Sequence, residues 1–275
     1  MAIDLPRRAH VITGGFPPGQ PAGHDHDYAR LRLLQFLAER DIQASVANDF
    51  VDVERWLPIS RLLISYVAGP YPGPAQTLAI RRWIEAGGHW LGLHGTSGGK
   101  AVRTNSETDR RRRMERLDHH ETLGGFFLNH PPVRRFNVKV HSSNDILTEG
   151  LPETFEVIDE PYMIEVRDPA NTRVLLTAEL GPDTSSPNFG FAYEKDTALM
   201  EDGKTRVLGY TKNLGQGGVT YVALGHCHTP ATNSQPYVDV SVASDKTTPP
   251  VLRVTWEVPA FEQLIRNTVE LAIQR

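Results

Sequence analysis

Short apolar runs separated by amphipathic stretches set the pattern of the first hundred residues. Residues 9–13 are a β-rich run ending at Gly14 and Gly15, residues 42–47 a second, residues 61–67 an unbroken apolar third, and residues 89–93 a fourth. A continuous apolar run bounded by turn residues suits a parallel strand covered on both faces, whereas a strand with one wet face alternates. Between these runs, residues 28–40 repeat at helical spacing, with Leu31, Leu34, Leu37 and Ala38 on one face and Asp27 placed to cap the start. A further helix ends near Ala86, after a loop over residues 70–74. Strands and helices in alternation predict a parallel, doubly wound sheet that binds its ligand at the carboxyl ends of the strands, so the loops after Thr13, Val67 and Leu93 should converge. Later strand candidates are residues 136–140, 173–177, 206–210 and 219–224. A last helix from near Pro259 carries Phe261, Leu264, Ile265, Val269 and Ile273 on its inner face.

Composition narrows the class. With 275 residues, 39% of them hydrophobic, the chain can bury a sizeable core, and one domain over residues 1–275 is the simplest division. Its 20 prolines and 23 glycines are scattered, which signals ordered loops and not a linker, and no internal repeat is visible. A net charge of −4 with mixed signs favours neither nucleic acid nor an anionic membrane, and fits a small neutral substrate better. The run DRRRRMER at residues 109–116 does not change this, because Glu107, Asp109, Glu115, Asp118 and Glu121 largely cancel it; a solvated loop or helix face is expected there. The single cysteine, Cys227, excludes an intramolecular disulfide. With no apolar leader before the first strand and no stretch approaching a membrane span, a cytoplasmic location is expected.

Histidine carries the candidate chemistry, since seven of the eleven fall in four tight contexts: GHDHD, GLHG, LDHHE and LGHCH. In AGGHWLGLHGTSGG, an apolar strand runs into His94 held between glycines. That is how α/β enzymes display a reactive group above a sheet, but with an imidazole where a nucleophile would stand. TYVALGHCHTP repeats the arrangement at His226, and two displayed histidines suggest one shared site. His24 and His26, two apart, point the same way in an extended segment and could share a metal ion with Asp25 or Asp27. Asp159 and Glu160 end another apolar pair; Glu160 is the favoured acid/base or orienting carboxylate. Cys227 reads as a small buried residue and not a reactive thiol. No P-loop, GxGxxG, HExxH, CxxC or GxSxG motif is present.

GGHWLGLHG, LGGFFLNHP, DEPY and LGH, in this order after the first strand and its GHD, resemble the ThuA-like, or trehalose-utilisation, family over about residues 9–228. The resemblance implies a class I glutamine amidotransferase-like fold, a flavodoxin-like three-layer arrangement, with histidine in place of the cysteine nucleophile and hence no amidotransferase activity. It implies action on a disaccharide or a 3-keto-sugar. His94, His130, Glu160 and His226 match family motif positions, whereas Pro161 and Cys227 depart from the common DELY and GHD. The resulting expectation is a sugar enzyme with His94, Glu160 and His226 as catalytic groups and His24, His26, Gly95, His130 and Tyr162 as substrate contacts. No cofactor is expected, with a divalent metal as the one alternative. The alternatives are a metal-dependent hydrolase, with His24, His26, His94 and His226 or His228 holding a divalent ion, and a non-catalytic sugar-binding or assembly domain. Residues 229–258 look longer than in the family, as a loop over the site or a contact in a homo-oligomer.

Overall fold

The computed structural model describes residues 7–104, 109–141 and 145–274, so residues 1–6 and Glu107 lie outside it. In chain order the elements are β1 (Arg8–Gly14), α1 (His26–Ala38), β2 (Gln43–Ala47), α2 (Val53–Trp56), β3 (Leu62–Val67), α3 (Pro74–Glu85) and β4 (His89–Leu93). A small hairpin follows, β5 (Lys100–Arg103) and β6 (Arg112–Glu115), then α4 (His119–Leu123) and β7 (Gly125–Asn129). The second half is strand-rich: β8 (Arg134–Val140), β9 (Thr154–Asp159), β10 (Met163–Val166), β11 (Thr172–Glu179), β12 (Phe191–Ala192), β13 (Thr205–Leu214) and β14 (Gly217–Val222), closed by α5 (Pro259–Gln274).

Nine strands form one sheet in the order β2-β1-β3-β4-β14-β13-β11-β8-β9. The expectation of a mainly parallel sheet holds for half of it. From β2 to β14 every pairing is parallel; from β14 to β9 every pairing is antiparallel. For β13 and β14 the reason is connection length. β13 and β14 are joined through Gly215 at φ 61°, and a tight turn can only return a strand antiparallel. The fold is therefore mixed α/β around a large central sheet. The apolar runs of β3 and β4 are buried at every position, as strands covered on both faces require. α1 packs against α5, and α3 packs against α2 and α4. No helix among the described residues is long and apolar enough to cross a membrane.

Two local readings are corrected. α1 starts two residues earlier than the periodicity predicts, with Asp25, not Asp27, accepting the Tyr28 N–H as its cap. Its buried face is Ala29, Leu33, Phe36 and Leu37, while Leu31 and Ala38 are exposed. The aromatic ring of Phe36 needs more cover than a leucine, and it turns the helix by a residue. The arginine-rich stretch is solvated as expected, but as strand β6 and not a loop or helix face.

His10 on β1 carries a stability consequence. Its Nδ1 lies 2.7 Å from Ser45 Oγ, its ring stacks on Trp56, its Nε2 makes no hydrogen bond, and burial lowers its pKa to about 4. The unfolded chain takes up this proton first, so the stability present above the ordinary histidine pKa is lost as pH falls toward the folded value. Between pH 7 and 5 this amounts to about 2 kcal/mol. Urea unfolding at both pH values should show His10→Asn losing about 2 kcal/mol less than the wild type on acidification; equal losses would clear His10.

Candidate active site

β4 delivers His94 to the carboxyl edge of the sheet, and the chain turns there at once: His94 adopts φ 46°, left-handed backbone that costs a non-glycine residue about 1–2 kcal/mol. The surroundings hold it there. Tyr221 Oη–H donates to the His94 carbonyl at 2.8 Å, and Tyr71 Oη–H to the Gly95 carbonyl at 3.1 Å. A Cβ on Gly95 would sit 2.5 Å from the Val67 carbonyl, so only glycine admits the close approach of the β3 and β4 loops. His119 and His120, both buried, meet the Thr96, Ser97 and Gly98 carbonyls and brace the same turn from behind.

The second elbow follows β14. Gly225 turns at φ 123°, and its carbonyl accepts the Trp256 indole N–H at 2.7 Å and the Tyr66 hydroxyl at 2.9 Å. The N–H groups of Gly225 and His226 donate to the Asp159 carboxylate at 2.7 and 3.0 Å. Burial raises the Asp159 pKa to about 6. Asp159 thus shapes the turn that displays His226, while the next residue, Glu160, reaches the middle of the site.

There the groups converge. Glu160 Oε2 lies 3.0 Å from His94 Nε2 and 3.8 Å from His24 Nε2, and its Oε1 lies 3.3 Å from His226 Nδ1 and 3.5 Å from His130 Nε2. One ligand atom each from His24, His94, Glu160 and His226 falls within 4.8 Å of all the others, a set able to hold a metal ion. Burial opposes charge on Glu160, but favourable contacts led by the His130 imidazole outweigh it and hold the carboxyl well below the ordinary range. Burial also works against charging His94; its Glu160 contact outweighs that and raises its pKa. For His226 and His24 burial wins, and both are held neutral, His226 with a pKa of about 3.

His24, His130 and Glu160 line a cavity of about 860 Å³, and His94 and His226 reach Glu160 from buried positions. Phe16, Tyr71, Phe127, Tyr162, Phe189 and Phe191 supply its aromatic walls. The loops after β1, β3 and β4 do meet here, as the strand pattern requires. Tyr162 stacks on the His94 ring with centroids 4.2 Å apart and on His130 at 5.6 Å.

Of the residues marked by sequence, His24, His94, His130, Glu160, Tyr162, Gly95 and His226 gather here. His26 does not line the cavity. As the first residue of α1 it no longer sits in an extended segment, and its Nε2 meets the Pro21 carbonyl at 3.0 Å. Asp25 and Asp27 are no ligand partners either: the first caps α1 and pairs with Arg253 at 2.8 Å, and the second pairs with Arg30. His228 stands behind His226. Cys227 is buried with its thiol pKa raised, in keeping with an inert role. Gln235, which donates from Nε2 to Glu160 Oε1, went unmarked; with Ser234 and Pro236 it brings residues 229–258 over the cavity.

The family model described as ThuA, trehalose utilisation, matches residues 22–240. Among solved structures, a ThuA-like protein from Parabacteroides merdae ATCC 43184 is 14% identical, with a TM-score of 0.57, 98% of this chain covered and 90% of that one. A ThuA-like protein from Bacteroides uniformis ATCC 8492 is 17% identical, with a TM-score of 0.54 and coverages of 82% and 84%. A cold-adapted β-galactosidase from Rahnella sp. R3 shares the fold over 81% of this chain but 29% of its own, at 13% identity and a TM-score of 0.53. No curated protein sequence matches.

Proposed function

The chain belongs to the ThuA family, described as trehalose utilisation, and from that premise we propose that it is a carbohydrate-processing enzyme acting on a disaccharide or 3-keto-sugar. The observation that carries this reading is the placement of four imidazoles around one buried carboxylate at the floor of an aromatic-walled cavity. Aromatic rings stack on the C–H faces of sugars, and a cavity of about 860 Å³ takes two sugar rings. His94, Glu160 and His226 are the reacting groups of this proposal; His24, Gly95, His130 and Tyr162 line the sugar's path to them. A 3-keto group acidifies the neighbouring C–H, so polarising its oxygen and moving one proton suffices for isomerisation or elimination without hydride transfer. The fold is read as class I glutamine amidotransferase-like. Its parallel half reverses strand order between β1 and β3, where such sheets bind ligands, and imidazole at the elbow in place of a thiol speaks against glutamine hydrolysis. A cytoplasmic setting agrees with the single buried thiol.

The test is to follow trehalose and 3-keto-trehalose by proton NMR with the wild type, with His94→Ala as the inactive control. Conversion is expected for the keto-sugar. Phe189→Ala, which strips one wall, should raise KM about tenfold with kcat little changed. Binding without conversion of either sugar would sink the enzyme reading and favour a sugar-binding domain.

A further inference from the structure

Backbone carbonyls accept hydrogen bonds and never donate them, so a ring nitrogen bonded to one must carry the proton. His24 Nδ1 lies 2.9 Å from the Ala22 carbonyl, His94 Nδ1 2.7 Å from that of Ala223, and His228 Nε2 2.9 Å from that of Pro249. The last contact leaves His228 Nδ1 as an acceptor, and His226 Nε2, 2.9 Å away, donates to it. A neutral imidazole has one N–H. Three lone pairs, on His24 Nε2, His94 Nε2 and His226 Nδ1, are therefore turned on the Glu160 carboxylate.

This arrangement lacks only positive charge. The His24 and His94 Nε2 atoms are 3.0 Å apart with no proton available to either from its own neutral tautomer, and Glu160 Oε2 and His226 Nδ1 make no hydrogen bond although both residues are almost wholly buried. A single proton on His94 would settle one contact and leave His226 facing the carboxylate. We propose that His24, His94, His226 and Glu160 bind one divalent transition-metal ion. Ligand atoms about 2.0–2.1 Å from a metal stand about 3 Å apart at octahedral corners and about 3.4 Å apart at tetrahedral ones. The 3.0 Å contacts of His94 Nε2 with His24 Nε2 and with Glu160 Oε2 match those edges, the 3.8 Å from His24 to the same oxygen is somewhat longer, and His226 Nδ1 lies 3.3 Å from the other carboxylate oxygen, Oε1. The outward N–H of every ligand ring, bonded to a carbonyl directly or through His228, is the supporting shell that fixes metal-binding imidazoles. Three imidazoles and one carboxylate suit zinc, iron or manganese, whereas calcium and magnesium prefer all-oxygen sets.

The inference deepens the proposed function, since the ion would sit where the sugar's keto oxygen arrives and would polarise it. The four ligands then hold the ion, and His130, outside the set with Nε2 3.5 Å from Glu160, is the imidazole left facing the cavity. The test needs no sugar. Chelator-stripped protein is dialysed against Mn²⁺, Co²⁺ or Zn²⁺ alone, and bound metal is counted by elemental analysis, with visible absorption of the Co²⁺ form reporting nitrogen ligands. One equivalent per chain is expected. His24→Gln should weaken binding about 100-fold or more, while His26→Gln, two residues away in the same segment, keeps the full equivalent. Substoichiometric metal in the wild type, or equal loss in both variants, would overturn the proposal. Stoichiometric metal without sugar conversion would leave it standing and sink the keto-sugar reading; conversion by metal-free protein would do the reverse.

Discussion

Glu160→Gln is expected to lower kcat/KM on the keto-sugar about 10³-fold while the protein folds as stably as the wild type. Glutamine keeps the volume and a carbonyl oxygen for the Gln235 side chain, removes the charge and turns one acceptor oxygen into an N–H₂ donor. Four imidazole nitrogens lie within 3.8 Å of that carboxylate, so its charge organises the whole floor of the cavity whether it moves a proton or binds a cation. The fold favours the ionised carboxylate, and glutamine gives that up, but its N–H₂ can donate to the imidazole lone pairs turned on this position and offset the loss. The thermal midpoint should therefore hold while turnover collapses, a split that a merely structural carboxylate does not give. Initial rates and melting curves measured on one preparation would check it. A variant retaining more than a tenth of wild-type turnover would remove Glu160 from the chemistry.

How much of this was legible in the chain depends on how local the signal is. The parallel half could be read because β3 and β4 are mostly apolar and buried at every position, and because Gly92 and Gly95 around His94 mark the elbow that its φ of 46° then realises. The antiparallel half was read in pieces, since β9 alternates buried and exposed residues only briefly and β7 and β10 pair outside the main sheet. His24 and His26 looked alike because the first turn of α1 was placed two residues late; once Asp25 caps the helix, His24 stays in the loop and turns to Glu160 while His26 turns to Pro21. Gln235 had no local signal. A glutamine in a polar loop becomes part of the site only because residues 229–258 fold back over a carboxylate 75 positions earlier. The tautomers that turn three lone pairs on Glu160 are set by the carbonyls of Ala22, Ala223 and Pro249, and no side-chain pattern records where a carbonyl points.

Asp159→Ala should be the most damaging single change to the fold of the site, costing about 3–5 kcal/mol. The carboxylate is fully buried and accepts three backbone N–H groups, those of Glu160, Gly225 and His226, at 2.8, 2.7 and 3.0 Å. Alanine leaves all three without a partner in a place too tight to rearrange, and each buried orphan donor costs about 1–3 kcal/mol. Asparagine separates this from a loss of charge. Its Oδ1 still serves Glu160 and His226, while its amide N–H₂ faces the Gly225 N–H, so Asp159→Asn should cost about half as much. Urea unfolding of the two variants against the wild type measures both steps, and an alanine variant within 1 kcal/mol of wild type would show that the turn at Gly225 stands without its carboxylate. Because the same two N–H bonds aim His226 at Glu160, the alanine variant should also lose turnover under conditions where it is still folded. The elbow after β14 is thus held by a side chain from β9, although three strands, β13, β11 and β8, lie between the two in the sheet, and that long-range tie is what joins the two halves of the sheet at one reacting centre.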